Sequence, residues 1–168
     1  SEPPLRPTSA RRGRGDALVV ALESLEQLER PRDAVLHAVP GRRLVHRLDR
    51  PARGVVVLGR TSKGAARLSE QFRARSTRKT YRVVVVGQPP TPNGERTDWL
   101  TSDERGARRV AAGQGQEASL AWQTLAEHDG LTLLEIDLHT GRKHQIRVQL
   151  AGLGCPVLGD LRYGAPAA

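Results

Sequence analysis

The chain has 168 residues, enough for one domain with a real core. Hydrophobic residues make up 38% and aromatic ones 3%, so that core must be largely aliphatic. Lys and Arg number 27 against 18 Asp and Glu, a formal charge of +9 that favours a polyanionic partner. Nucleic acid comes first, because neutralising phosphates releases counterions and supplies much of the affinity. A membrane is disfavoured: the sequence has no long apolar span and no basic amphipathic helix of the interfacial kind. Cys155 is the one cysteine, so no internal disulfide framework exists. No secretory signal is legible, and the absence of Met suggests a processed or partial polypeptide.

In chain order, Ser1 to Gly15 is rich in Arg, Pro and Gly and reads as a basic, disordered tail, leaving residues 16–168 as the domain. Leu18, Leu22, Leu25 and Leu28 follow helical spacing, so a helix is expected from Asp16 to Pro31. The most informative stretch follows at Arg42 to Thr61. There Asp49 sits among Arg47, Arg50 and Arg53, which favour its ionised form. An ionised Asp can act as a nucleophile; an Asp before Arg-Pro is equally a common turn residue.

Gly54 to Arg60 reads as a buried strand, and Thr61 or Ser62 can cap a helix burying Ala65, Leu68 and Phe72. That helix ends in a basic run with Arg73, Arg75, Arg78 and Lys79, which suits a helix C-terminus as well as it suits phosphate. Thr80 to Gly87 is a strand. Pro89 to Gly115 is expected to form loops and an irregular hairpin. Ala118 to Glu127 and Leu131 to Leu138 read as strands joined at Asp129-Gly130, a favoured tight-turn pair. Ile146, Leu150 and Leu153 then share a helical face that Gly154 can end. Arg142, Lys143 and His144 fall in the expected first turn of this helix, the wrong end for cations unless an anion binds there. Arg147 flanks the buried stripe and can hold a carboxylate bidentately. Zinc spacing, an HExxH pair, a P-loop, a dinucleotide fingerprint and a nucleophile elbow are all missing from the sequence.

Three motifs together carry a resemblance. His46-Arg47-Leu48-Asp49 with Gly54 and an aliphatic strand, Lys79-Thr80-Tyr81 before a valine strand, and Thr140-Gly141-Arg142-Lys143-His144-Gln145-Ile146-Arg147 with Gly159-Asp160 and Tyr163-Gly164 resemble, in order, the motifs of the RluA family of pseudouridine synthases. The resemblance implies an α+β fold: a mixed, largely antiparallel sheet with flanking helices and a central catalytic cleft, trimmed here at both ends. It implies isomerisation of uridine to pseudouridine in RNA with no cofactor and no metal. Asp49 would be the catalytic carboxylate, Tyr81 would stack on the base, and Arg147 would pair with Asp49. Arg47 would fill the gap left by the flipped nucleotide. Arg50, Arg73, Arg75, Arg78, Lys79, Arg142, Lys143, His144 and Gln145 would contact RNA. Ribosomal RNA is expected ahead of transfer RNA, with a ribosomal or ribonucleoprotein partner as a further expectation. A bacterial cytoplasm and a mitochondrion both accommodate this reading.

The chain departs from the family pattern at Ala52-Arg53, where Thr-Ser is usual, and at Pro51, Lys143 and Cys155. The alternative reading is therefore a non-catalytic RNA-binding homologue serving as a structural or assembly subunit of a ribonucleoprotein.

Overall fold

The computed structural model describes residues 9–12, 17–22, 43–46, 48–49 and 52–166, with side chains from Arg43 onward. The chain divides into two compact units, residues 1–77 and 78–168, and each is described by itself.

The first unit contains a four-stranded antiparallel sheet of order β1-β2-β4-β3. Its strands are β1 (Ser9–Arg12), β2 (Ala17–Leu22), β3 (Arg43–Leu44) and β4 (Gly54–Gly59). β1 lies within the stretch read as a tail, and over residues 17–22 β2 corrects the expected helix; residues 16 and 23–31 of that expectation lie outside the described residues. The physical reason is parity. Leu18 and Leu22 are four apart, a spacing that fits one helix face and equally one strand face. Between them Val19 and Val20 are β-branched, and the segment finds a full ladder with β4, Leu18 opposite Leu58 and Val20 opposite Val56.

Helix α1 (Ser62–Arg73) follows β4. Thr61 caps it, its Oγ1 accepting from Gly64 N at 3.0 Å. The helix buries Ala65 and half-buries Leu68 and Phe72, the expected face. Its end is a Schellman turn: Arg75 N donates to Phe72 O and Ser76 N to Gln71 O. Arg75 occupies the left-handed position of this turn, φ 57°, where glycine is usual.

The second unit is built on a five-stranded sheet of order β5-β9-β8-β6-β7. Its strands are β5 (Thr80–Val86), β6 (Asn93–Ser102), β7 (Ala107–Val110), β8 (Gln116–His128) and β9 (Leu131–Leu138). All named strand pairings among the described residues are antiparallel. The β8–β9 hairpin turns at Asp129-Gly130, both at positive φ as a type I′ turn requires. The region expected to be irregular is instead a regular hairpin, β6–β7. Its polar residues hide the pattern because they serve it: Asp103 Oδ1 accepts from Arg105 N and Gly106 N and closes the turn.

Helix α2 (Gln145–Ala151) is short, seven residues. Gly154, φ 83°, ends its last turn, with Gly154 N donating to Ala151 O and Cys155 N to Leu150 O. Leu150 and Cys155 join Val85, Leu120, Trp122, Leu134 and Ile136 in the main core. Val148 packs with Leu100, Ala107 and Ala118. The segment after α2 returns along the outer side of β5, where Val86 N donates to Pro156 O and Leu158 N to Val84 O.

Beneath α2 runs a buried polar chain. Gln145 Oε1 accepts from Thr140 Oγ1 at 2.7 Å, and Gln145 Nε2 donates to Gln149 Oε1 at 3.0 Å. Gln149 Nε2 donates to Ala118 O and to Asp98 Oδ2, at 3.0 and 3.1 Å. Asp98 also pairs with Arg96 and Arg109, at 2.5 and 2.9 Å. Burial alone would raise the Asp98 pKa; hydrogen bonds from Arg96 and Gln149 and the charges of both arginines outweigh it, and the net effect is downward. Replacing Gln149 with Leu keeps volume but leaves Ala118 O, Asp98 and Gln145 short of a partner. The expected loss is ~2–3 kcal/mol, read as a lower midpoint in urea unfolding; an unchanged midpoint would exclude a stabilising role for the chain.

Candidate active site

Asp49 lies in the first unit, half-buried on the connection from β3 to β4. Its backbone carbonyl accepts from Ala52 N at 2.9 Å. The approach to Asp49 is anchored by His46. Strand β3 stops pairing at Leu44 opposite Leu58. The His46 ring takes over the next donor of β4: Nε2 accepts from Val57 N at 3.0 Å. This assigns the ring proton to Nδ1. The ring also stacks on Phe72 of α1, centroids 4.8 Å apart. At the start of β4, Gly54 has φ +146°, a conformation L side chains rarely adopt, so the entry to β4 requires glycine. Arg47, Arg50 and Pro51 lie outside the described residues; Arg53 is exposed.

Tyr81 and Arg147 lie in the second unit. Tyr81 is on β5 opposite Ile136, half-buried and packed on the main core. Arg147 projects from α2, its side chain 18% exposed. Its Nε and Nη2 donate to Asp160 Oδ2 and Oδ1 at 2.6 and 2.8 Å, a two-pronged pair. The Tyr163 ring lies against the same guanidinium, 4.9 Å from Cζ to the ring centre. The Tyr163 hydroxyl accepts from Ala107 N at 2.9 Å and is 2.8 Å from His144 Nδ1. His144 reaches it from a left-handed backbone position, φ 52°. Burial would raise the pKa of Asp160, but Arg147's hydrogen bonds and charge, the Tyr163 N–H and the His144 charge together hold it below the usual carboxylate value.

The residues expected to contact RNA separate by exposure. Gln145, also expected to contact RNA, is 2% exposed, and its amide is engaged in the chain beneath α2. Arg142 and Lys143 precede the helix rather than opening it, because α2 begins at Gln145. Arg142 Nε donates to Glu117 O at 2.9 Å and Lys143 Nζ to Asp103 O at 2.6 Å. Those carbonyls are the partners of the two cations ahead of the helix. Arg73 pairs with Glu70, Arg78 with Asp137 at 3.1 Å, and Lys79 Nζ donates to Thr140 O at 3.1 Å. Arg73, Arg75 and Arg78 remain exposed. Sequence reasoning did not single out His46, Asp160 and Tyr163 for these contacts. Signals existed: His46 opens the first motif, and Tyr163 is one of only two tyrosines.

Two outcomes follow from these contacts. His46→Ala leaves Val57 N without its acceptor and removes the stack on Phe72, a loss of ~1–3 kcal/mol, measurable by thermal unfolding; no change would show the ring to be dispensable. For Asp98 and Asp160, folded pKa values below the unfolded value of about 3.9 mean stability that is present above that pH and lost as pH falls through the depressed values. Urea unfolding between pH 5 and pH 2 should therefore show steeper acid destabilisation in the wild type than in an Asp98→Asn variant.

A sequence model described as RNA pseudouridylate synthase matches residues 19–152. A protein of Zymomonas mobilis named an uncharacterized RNA pseudouridine synthase is 39% identical over 127 residues, 73% of this chain and 58% of its own length. Ribosomal large subunit pseudouridine synthase D of Xanthomonas campestris is 37% identical over 134 residues, 79% of this chain and 40% of its own. Among solved structures, human RNA Pseudouridylate Synthase Domain Containing 4 superposes with a TM-score of 0.71 at 28% identity, covering 90% of this chain and 67% of that one. Human RNA Pseudouridylate Synthase Domain Containing 1 gives 0.77 at 24% identity over 92% of this chain and 68% of that one, a likeness of fold alone. The chain spans roughly two fifths to three fifths of the length of the curated relatives named here. With an α+β fold of antiparallel strands and a family match over residues 19–152, the chain belongs to the RNA pseudouridylate synthase family.

Proposed function

We propose that this protein isomerises uridine to pseudouridine in RNA, with Asp49 as the catalytic carboxylate. The observation that carries the reading is that the family match spans Asp49, Tyr81 and Arg147 alike. In the reaction the N1–C1′ bond breaks, the freed uracil turns, and C5 bonds to C1′; the proton lost from C5 balances the one gained at N1. Asp49 starts the cleavage, by attack on the sugar or by another route. Tyr81, rigid on β5, stacks on the base. Arg147 is the residue proposed to pair with Asp49.

RNA reaches such a site as a flipped nucleotide, because chemistry on a stacked base is blocked. Arg47 fills the vacated position, and Arg50, Arg73, Arg75, Arg78, Lys79, Arg142 and Lys143 grip the phosphates. The backbone of Arg75 favours this role. A left-handed arginine costs about 1–2 kcal/mol relative to a relaxed conformation, and a phosphate contact would offset that cost where a glycine could not. Ribosomal RNA is the favoured substrate class, in keeping with the name of the Xanthomonas relative.

The test is pseudouridine mapping of total RNA from cells with the protein, without it, and with Asp49→Asn. One or a few sites should vanish in the last two, and purified Asp49→Asn should turn over on the order of a thousand-fold more slowly while still binding RNA. An unchanged map with RNA binding retained would favour the non-catalytic homologue instead.

A further inference from the structure

We propose that Asp160 is a positioning residue for Arg147, and that Tyr163 completes the clamp. The inference deepens the proposed function and rests on it. Arginine has a long, rotatable side chain, and its planar fork serves a reaction only when one orientation is imposed. Here the imposition is complete on one side. Asp160 engages the Nε and Nη2 side with both oxygens, which leaves the Nη1 end outside this pairing and fixes its direction. The Tyr163 ring fixes the plane.

Each clamp residue is itself held. Asp160 N donates to Val157 O at 3.0 Å, and Asp160 O accepts from Tyr163 N and Ala165 N at 3.0 and 3.1 Å. Its carboxylate therefore stands on a locked turn. Tyr163 is tied through its hydroxyl to the β7 backbone and to His144. Both ion-pair partners are largely buried, 18% and 7% exposed. An exposed ion pair kept for solubility would need neither the ring nor the locked turn. The carboxylate also offsets the charge of Arg147, so the guanidinium acts as a directed donor rather than as a loose phosphate anchor.

The test compares wild type, Asp160→Asn and Asp160→Glu on an RNA transcript carrying a site found by the mapping. For Asp160→Asn, kcat should fall ten- to a hundred-fold, the range expected for a misplaced group. RNA affinity should stay level or tighten up to about threefold, since a positive charge is unmasked. Asp160→Glu should recover part of kcat. The NMR signal of the Arg147 Nε–H, assigned with Arg147→Lys, should be exchange-protected in the wild type and lost in Asp160→Asn. A merely structural role would lower folded yield and melting temperature without this split between kcat and affinity. If Asp160→Asn does not fold, Tyr163→Leu keeps the ion pair and should lower kcat roughly three- to tenfold by the same misplacement. A kcat within twofold of wild type despite loss of the Nε–H protection overturns the inference, and so does protection that survives in Asp160→Asn. Wild type that turns over no RNA while Asp160→Asn still loses the protection overturns the proposed function and leaves the clamp standing.

Discussion

The chain of amides beneath α2 is the constraint on which the second unit depends. A seven-residue helix is too short to hold itself together in water. Its first residue, Gln145, and the residue one turn on, Gln149, are both buried and bonded to each other. Through them the helix is pinned to Thr140 on one side and to Asp98 and the Ala118 carbonyl on the other. Apolar packing by Val148 and Leu150 supplies attraction but little rotational specificity. The amides supply it, because a buried amide off its partners pays the full desolvation penalty. Arg147 projects from this helix between them, so the orientation of its backbone is set by glutamines.

The first unit solves a similar problem with one ring. The connection from β3 to Gly54 carries Asp49 and has only a two-residue strand behind it. His46 extends the sheet by proxy, offering a ring nitrogen where a backbone carbonyl would otherwise accept. Phe72 then ties the same ring to α1. A motif residue to which the sequence assigned no role is in the structure a splint for the loop beside it.

Much of this architecture was legible beforehand. The β8–β9 hairpin follows from strict alternation and Asp129-Gly130, and α1 follows from Thr61 and the Ala65–Leu68–Phe72 face. The failures have physical causes. Leucines at spacing four are ambiguous between helix and strand, so β2 was misread. β6 and β7 form a hairpin whose polar and charged residues, Arg96 and Asp98 in β6 and Asp103 in the turn, bond within the fold, so polarity looked like looseness. The candidate residues were legible as a set in motif order. The partnerships were not, because hydrogen bonds such as Arg147 to Asp160 and Tyr163 to Ala107 depend on the turn after α2, for which sequence periodicity carries no signal.

Cys155 offers something different. It is the chain's single thiol, it is fully buried at the end of α2, and burial pushes its pKa upward. Both effects suppress the thiolate that reacts with oxidants and alkylating reagents. The thiol becomes reactive only when the turn after α2 leaves the core. Its rate of labelling is thus a clock for local opening at the element that carries Arg147, readable in the native protein with no introduced probe.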